Sequence, residues 1–143
     1  SITIEKAMMN SEVGFCKRVL EVFDNNGISI EHMPSGIDTM TILVHQDEFE
    51  EKEQEVVAGI HRAVEPDFVE MESDLALIAV VGRGMKSTRG TSGRIFSALA
   101  HANVNVRMID QGSSELNIII GVRNHDFDNA IKAIYDIFVM TQL

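Results

Sequence analysis

The chain has 143 residues, enough for one ordinary domain or two small ones. Apolar residues make up 45% and charged residues 24%, a globular composition, and no apolar run approaches the ~20 residues a bilayer span needs. A net charge of −10 opposes nucleic-acid phosphates and anionic membrane surfaces alike, and the single cysteine, Cys16, excludes an internal disulfide and a cysteine-based zinc site.

The first residues carry neither a basic start nor an apolar stretch, so no signal peptide is expected. The chain begins without methionine, inside what reads as a strand. A piece of a longer cytoplasmic protein is expected.

Residues 2–8 alternate apolar and polar, which predicts a half-buried strand. Residues 13–25 place Cys16, Val19, Leu20 and Phe23 at helical spacing. Gly27 closes that helix as a left-handed cap. A second strand follows over 28–33, then a turn at Pro34, Ser35 and Gly36, and a third strand over 40–44. Residues 47–64 predict one acidic helix with Phe49, Val56, Val57, Ile60 and Val64 inward, and 68–71 a fourth strand.

The order then repeats: strand 75–82, helix 91–102, strands 104–109 and 116–122, and helix 127–138. That last helix has Phe127, Ala130, Ile131, Ile134 and Phe138 as its expected buried stripe.

The repetition is residue by residue. When Met9 is laid on Met85, Ser11 falls on Ser87, Gly14 on Gly90, Arg18 on Arg94, Gly36 on Gly112 and Ile42 on Ile118, without a gap from residue 2 to about 46. Val19/Ile95, Phe23/Leu99, Ile28/Val104 and Ile30/Val106 keep the apolar rhythm. The period exceeds that of solenoid repeats, so the chain reads as a duplicated domain, 1–73 and 74–143. Each unit predicts an α+β, ferredoxin-like βαββαβ sandwich, an antiparallel sheet with two helices on one face. Only residues 139–143 remain after the last helix, so the second unit is expected to have a short or missing fourth strand and an open sheet edge.

Catalytic chemistry is hard to find. The glycine-rich stretch 82–93 departs from the P-loop pattern because Met85 stands directly before Lys86. It departs from G-x-G-x-x-G because Ser87 holds the third glycine position. Still, a strand running through a loop into a helix offers free backbone N–H groups that favour a carboxylate. The five histidines lack metal-ligand spacing, and no serine has a base and an orienting acid in sequence reach. The acidic run 47–55 reads as a solvated helix face, and no strand pairs aromatics as an RNA-binding sheet would. No catalytic residue and no metal site is expected.

What remains is a binding constellation in the first unit. The loop 9–15, the segment 29–31 and the turn 34–38 are expected to converge at one end of the sheet. Backbone N–H groups and Ser11 suit an α-carboxylate, and strand carbonyls with Asn10 suit an α-ammonium. Glu31, or Asp38, suits a side-chain cation, with Phe15, Met8 and Ile30 covering an aliphatic chain.

These residues carry a family resemblance. Residues 9–15 (Met, Asn, Ser, Glu, Val, Gly, Phe) with 28–31 in the first unit, and 78–86 with 105–120 in the second, resemble tandem ACT domains. The pair resembles the C-terminal regulatory region of monofunctional, lysine-sensitive aspartate kinases. The resemblance implies feedback inhibition by a free amino acid, lysine first and threonine next, bound to the first unit near a homodimer interface. It implies an N-terminal kinase domain elsewhere in the parent protein, which transfers phosphate from ATP, with magnesium, to the aspartate side chain, and no cofactor in this region. It also implies that residues ahead of the first unit supply the missing strand of the second. Carried onto this chain, the effector contacts are Met8, Met9, Asn10, Ser11, Gly14, Phe15, Cys16, Ser29, Ile30, Glu31, Ser35 and Gly36, with Met8 and Met9 competing for one role. The competing readings are a purely structural dimerisation module and a small ferredoxin-like enzyme, the latter weakest for want of a paired acid, base or nucleophile.

Overall fold

The structure, a computed structural model, describes residues 1–82, 90–111 and 117–140. The chain divides into two compact units, Ser1–Ser73 and Asp74–Leu143.

The first unit runs β1 (Ile2–Glu5), a 3-10 turn (Met9–Ser11), α1 (Phe15–Asn25), β2 (Ile30–His32), β3 (Thr39–Val44), α2 (Gln46–Glu50), α3 (Glu53–Val64) and β4 (Phe68–Met71). Its sheet has the order β2-β3-β1-β4, antiparallel throughout. Ile2, Ile4, Met40 and Ile42 point from the sheet into one core with Phe15, Val19 and Phe23 of α1 and Val56, Ile60 and Val64 of α3. The other sheet face is mixed, with Thr3 and Thr41 hydroxyls 3.1 Å apart and Phe68 exposed opposite Glu5.

The second unit runs β5 (Leu75–Val81), α4 (Thr91–His101), β6 (Val106–Asp110), β7 (Asn117–Arg123), a 3-10 turn (Asn124–Asp126) and α5 (Phe127–Met140). Its sheet has the order β5-β7-β6, antiparallel, and its core joins Ile78, Val80, Ile118, Ile120 and Val122 to Ile95, Leu99, Ala130 and Ile134. Among the described residues no strand lies on the outer side of β5.

The duplication is visible in backbone detail. Gly14 and Gly90 precede α1 and α4 with φ of 80° and 79°, a left-handed conformation that glycine adopts without a Cβ penalty. Gly27 and Asn103, in register, share the left-handed exit with φ of 68° and 59°. The N–H groups of Ile28 and Val104 return to Phe23 and Leu99 carbonyls at 3.0 and 2.9 Å.

Three expectations need correction. The strand expected over 2–8 ends at Glu5, because Met8 is left-handed (φ 65°) and turns the chain away. The acidic helix over 47–64 is two helices, with Lys52 (φ −114°) off the helical geometry between them. On α5 only Ala130 and Ile134 of the expected stripe are buried; Phe127, Ile131 and Phe138 are 37%, 42% and 38% exposed. Helical spacing gives a stripe but not which side of it meets the sheet, and the stripe is wider than the sheet covers.

Ile42→Ala should therefore cost about 2–5 kcal/mol by urea denaturation, as core truncations do, whereas Ile131→Ala should cost less than about 0.5 kcal/mol. Equal losses would contradict this placement of α5.

Candidate functional site

The first unit assembles its loop from the sheet outward. β1 lies between β3 and β4, with Glu5 opposite Thr39 on one side and Phe68 on the other. The residues after Glu5 are thus flanked by both neighbouring connections. Lys6 N–H donates to Asp38 O (3.0 Å) and Met8 N–H to Asp38 Oδ1 (3.1 Å). Ala7 N–H donates to Asp67 Oδ2 (2.8 Å). Two carboxylates on opposite sides hold consecutive amides, and the left-handed Met8 between them is held in place by tertiary contacts.

From there the 3-10 turn carries Met9, Asn10 and Ser11 to the start of α1. Met9 is buried (4% exposed), while Met8, Asn10 and Ser11 face solvent. Ser11 Oγ donates to Met8 O (2.8 Å) and keeps its lone pairs on the solvent side as acceptors. Phe15 N–H donates to Glu12 O (3.3 Å). The next first-turn N–H groups, of Cys16 and Lys17, have no intrahelical acceptor, and no side chain caps this helix.

Charge is arranged around the loop. Glu12 accepts from Arg18 Nη2 at 2.6 Å and pairs with Lys6 Nζ at 3.0 Å. Arg18 Nη1 also donates to Val13 O (3.1 Å). The Lys6, Glu12 and Arg18 cluster is cationic in sum, while the Asp38 and Asp67 carboxylates flank the segment after β1 from its two neighbouring connections. The hydrogen bond from Lys6, helped by the Lys6 and Arg18 charges, holds the Glu12 carboxyl below its ordinary value of 4.5.

The structure brings together only part of the predicted set. Of the loop and the turn, Met8 and Asp38 are joined, by the Met8 N–H donated to Asp38 Oδ1; within the turn, Gly36 N–H donates to Thr39 O (2.8 Å) and Ser35 is bridged to Met40. Ser29, Ile30 and Glu31 are elsewhere, since Ile30 pairs with Val44 and His32 with Leu43 at the far end of β3. From Leu43 back to Thr39 is roughly 13 Å at about 3.3 Å per residue, more than one amino-acid side chain reaches. Glu31 is exposed there and pairs with His45 Nε2 at 3.0 Å. Phe15, expected to cover a ligand, is 2% exposed and belongs to the core. Cys16 is exposed on the first turn of α1.

Lys6 was not among the expected site residues. No motif marks it, but the internal repeat does, because Gly82 stands at its matching position.

A groove of about 610 Å³ between α1 and α3, lined by Val22, Asn25, Ala58, Gly59 and Arg62, opens toward the C-terminal end of α1 and holds none of these residues. Among the described residues no cluster of His, Cys, Asp and Glu could hold a metal, and no helix is long and apolar enough to cross a membrane. The glycine-rich stretch 83–89, residues 112–116 and residues 141–143 lie outside the described residues.

The ACT domain family matches residues 78–138. Aspartokinase 3 of Bacillus subtilis (strain 168) is 42% identical over 139 residues, which are 96% of this chain and 31% of that protein. The crystal structure of Clostridium acetobutylicum aspartate kinase, described as an allosteric enzyme, superposes with a TM-score of 0.91 at 46% identity, over 94% of this chain and 31% of that one. E. coli aspartokinase III, solved in complex with lysine and aspartate, shares the fold with a TM-score of 0.72 at 19% identity, over 94% of this chain and 30% of that one. The chain thus spans 31% of the length of the Bacillus and Clostridium kinases.

The Glu12 brace makes a pH prediction. A carboxyl whose folded pKa is depressed contributes stability above its unfolded value and loses it as pH falls through the folded one. On acidification below the ordinary value of 4.5, wild type should lose loop protection in amide exchange. Glu12→Gln should start with less protection and show a flatter acid response. An unchanged acid profile would show that the brace does not hold the loop.

Proposed function

We propose that this chain, which belongs to the ACT-domain regulatory regions of the aspartate kinases, binds a free amino acid and transmits its presence to a kinase region. The observation that carries this is the meeting of the 6–12 loop with Asp38, which sets a carboxylate beside a loop that bears the net-cationic Lys6–Glu12–Arg18 cluster. A zwitterion fits such a cleft. Its α-carboxylate faces the uncapped first turn of α1 and the Lys6–Arg18 cluster, and its α-ammonium faces Asn10 and the strand and loop carbonyls. The parent kinase would transfer phosphate from ATP, with magnesium, to the aspartate side-chain carboxylate, in a cytoplasmic setting. This region would take no cofactor of its own. An end product would inhibit by binding the inactive arrangement better than the active one.

Lysine is the favoured effector and threonine the next. The E. coli relative is solved with lysine, and two carboxylates here could receive a side-chain ammonium. Asp38 lies in the same copy. Glu31, at the far end of β3, reaches the cleft only from a second copy of the chain, so a homodimer in which Glu31 of one protomer faces the loop of its partner gives both halves of the candidate set a role.

Calorimetry with lysine, threonine and methionine tests the reading. Lysine should bind most tightly, and Glu31→Ala should weaken it by about tenfold, the loss of one charge-assisted contact. Ser11→Ala should weaken it as well. Mixing these two variants should regenerate binding in a fraction of dimers, since one of the two shared sites in a mixed dimer is intact. A folded dimer silent to all three amino acids would instead favour a purely structural dimerisation module.

A further inference from the structure

We propose that Lys6 is the positioning residue of the effector loop and the link through which occupancy of that loop reaches the connection between α3 and β4. The proposal rests on the effector reading above and names how the same site is regulated.

Lys6 follows β1 directly, and its side chain is 23% exposed. Its Nζ donates to Val64 O (2.6 Å), pairs with Glu12 Oε2 (3.0 Å) and stands 6.0 Å from the Phe15 ring centroid. Val64 is the last residue of α3, and its carbonyl is one of those a helix end leaves without an intrahelical donor. An ammonium there also meets the negative end of the helix dipole. Three consecutive residues thereby grip one connector: Glu5 O accepts from Asp67 N–H (2.9 Å), Lys6 Nζ donates to Val64 O, and Ala7 N–H donates to Asp67 Oδ2 (2.8 Å). Between them Glu65 is left-handed (φ 48°).

On the loop side the same ammonium is tied through Glu12 to Arg18 and the start of α1. A shift of Glu12 on ligand binding therefore acts on Lys6, and Lys6 acts on the end of α3 and on β4. The second unit cannot repeat the arrangement, because Gly82 and Thr88 stand where Lys6 and Glu12 stand in the first. The link belongs to the copy that carries the candidate site.

The test combines lysine calorimetry with amide exchange on the whole chain, as wild type, Lys6→Met and Lys6→Arg. In wild type, lysine should slow exchange in the loop, residues 7–14, and also at Glu65, Asp67 and β4. Lys6→Met should bind lysine roughly tenfold more weakly. At saturating lysine its loop should still be protected, while the connector no longer responds. Lys6→Arg, which keeps the cation, should retain the connector response, which a merely space-filling role would not require. A folded Lys6→Met with unaltered affinity and an unaltered connector response would overturn the link while leaving the effector reading intact. Wild type blind to lysine, threonine and methionine would remove both. If Lys6→Met does not fold, Glu12→Gln breaks the chain from the exposed side: loss of the connector response supports the link, and its persistence overturns it.

Discussion

The placement of β1 between β3 and β4 is the constraint on which the first unit's chemistry depends. A central strand has a neighbour on each side, so the segment leaving it must pass between the two connections that join those neighbours. In this chain both connections present a carboxylate, Asp38 and Asp67, at the height where the amides of Met8 and Ala7 emerge. The loop is consequently fixed by acceptors belonging to other parts of the fold, and its geometry reports on them. The same placement puts Lys6 within reach of the end of α3, since antiparallel pairing of β1 and β4 brings the α3–β4 connection back to the end of β1.

The two units differ where this constraint differs. In the second, β5 is bordered by β7, and among the described residues no strand takes the place that β4 takes beside β1. The outward sheet faces differ as well. Thr3, Thr41 and Glu70 cover that of the first unit. In the second, Leu77 and Met108 close over Gly121, where an added Cβ would lie 3.0 Å from Met108 Cβ. A side chain at that crossing would press on Met108 and Leu77, so a glycine suits it. One copy has thus kept charge-bearing surroundings for its loop, and the other has Leu77 and Met108 on its outward sheet face and, among the described residues, no strand beyond β5.

Much of this was legible in the sequence, for identifiable reasons. Gly14 and Gly90 are both left-handed, and a left-handed position before a helix is a demand few residues other than glycine meet, so their coincidence in register was informative. The inward positions of β1, Ile2 and Ile4, follow from alternation, whereas β7 is buried over consecutive residues. Less legible was anything set by which face of an element meets which neighbour. The apolar stripe of α5 is wider than its buried face for that reason. Glu31 and Gly36 are close in sequence and were expected to share one cleft, but β2 runs antiparallel to β3 and carries Glu31 down the sheet away from the turn. Lys6 is not marked in the sequence because its importance comes from a carbonyl 58 positions later in the chain, a partner no local pattern announces.

The loop has the energetic character a regulatory element needs. Met8 is left-handed without being glycine, which costs of order 1–3 kcal/mol and persists only while the surroundings impose it. Here they do so through hydrogen bonds from Ala7 and Met8 to two side-chain carboxylates, which are exposed and so contribute only about 0.5–1.5 kcal/mol each. The cost and the restraint are of the same size, so the held loop and a released one are separated by a modest difference. Coupling between sites amounts to 1–3 kcal/mol in typical allosteric proteins. A ligand that engages the backbone of residues 8–11 or the Asp38 carboxylate acts on the same groups that set this balance. It therefore needs no large rearrangement to bias the element, provided its contacts with the two arrangements are unequal.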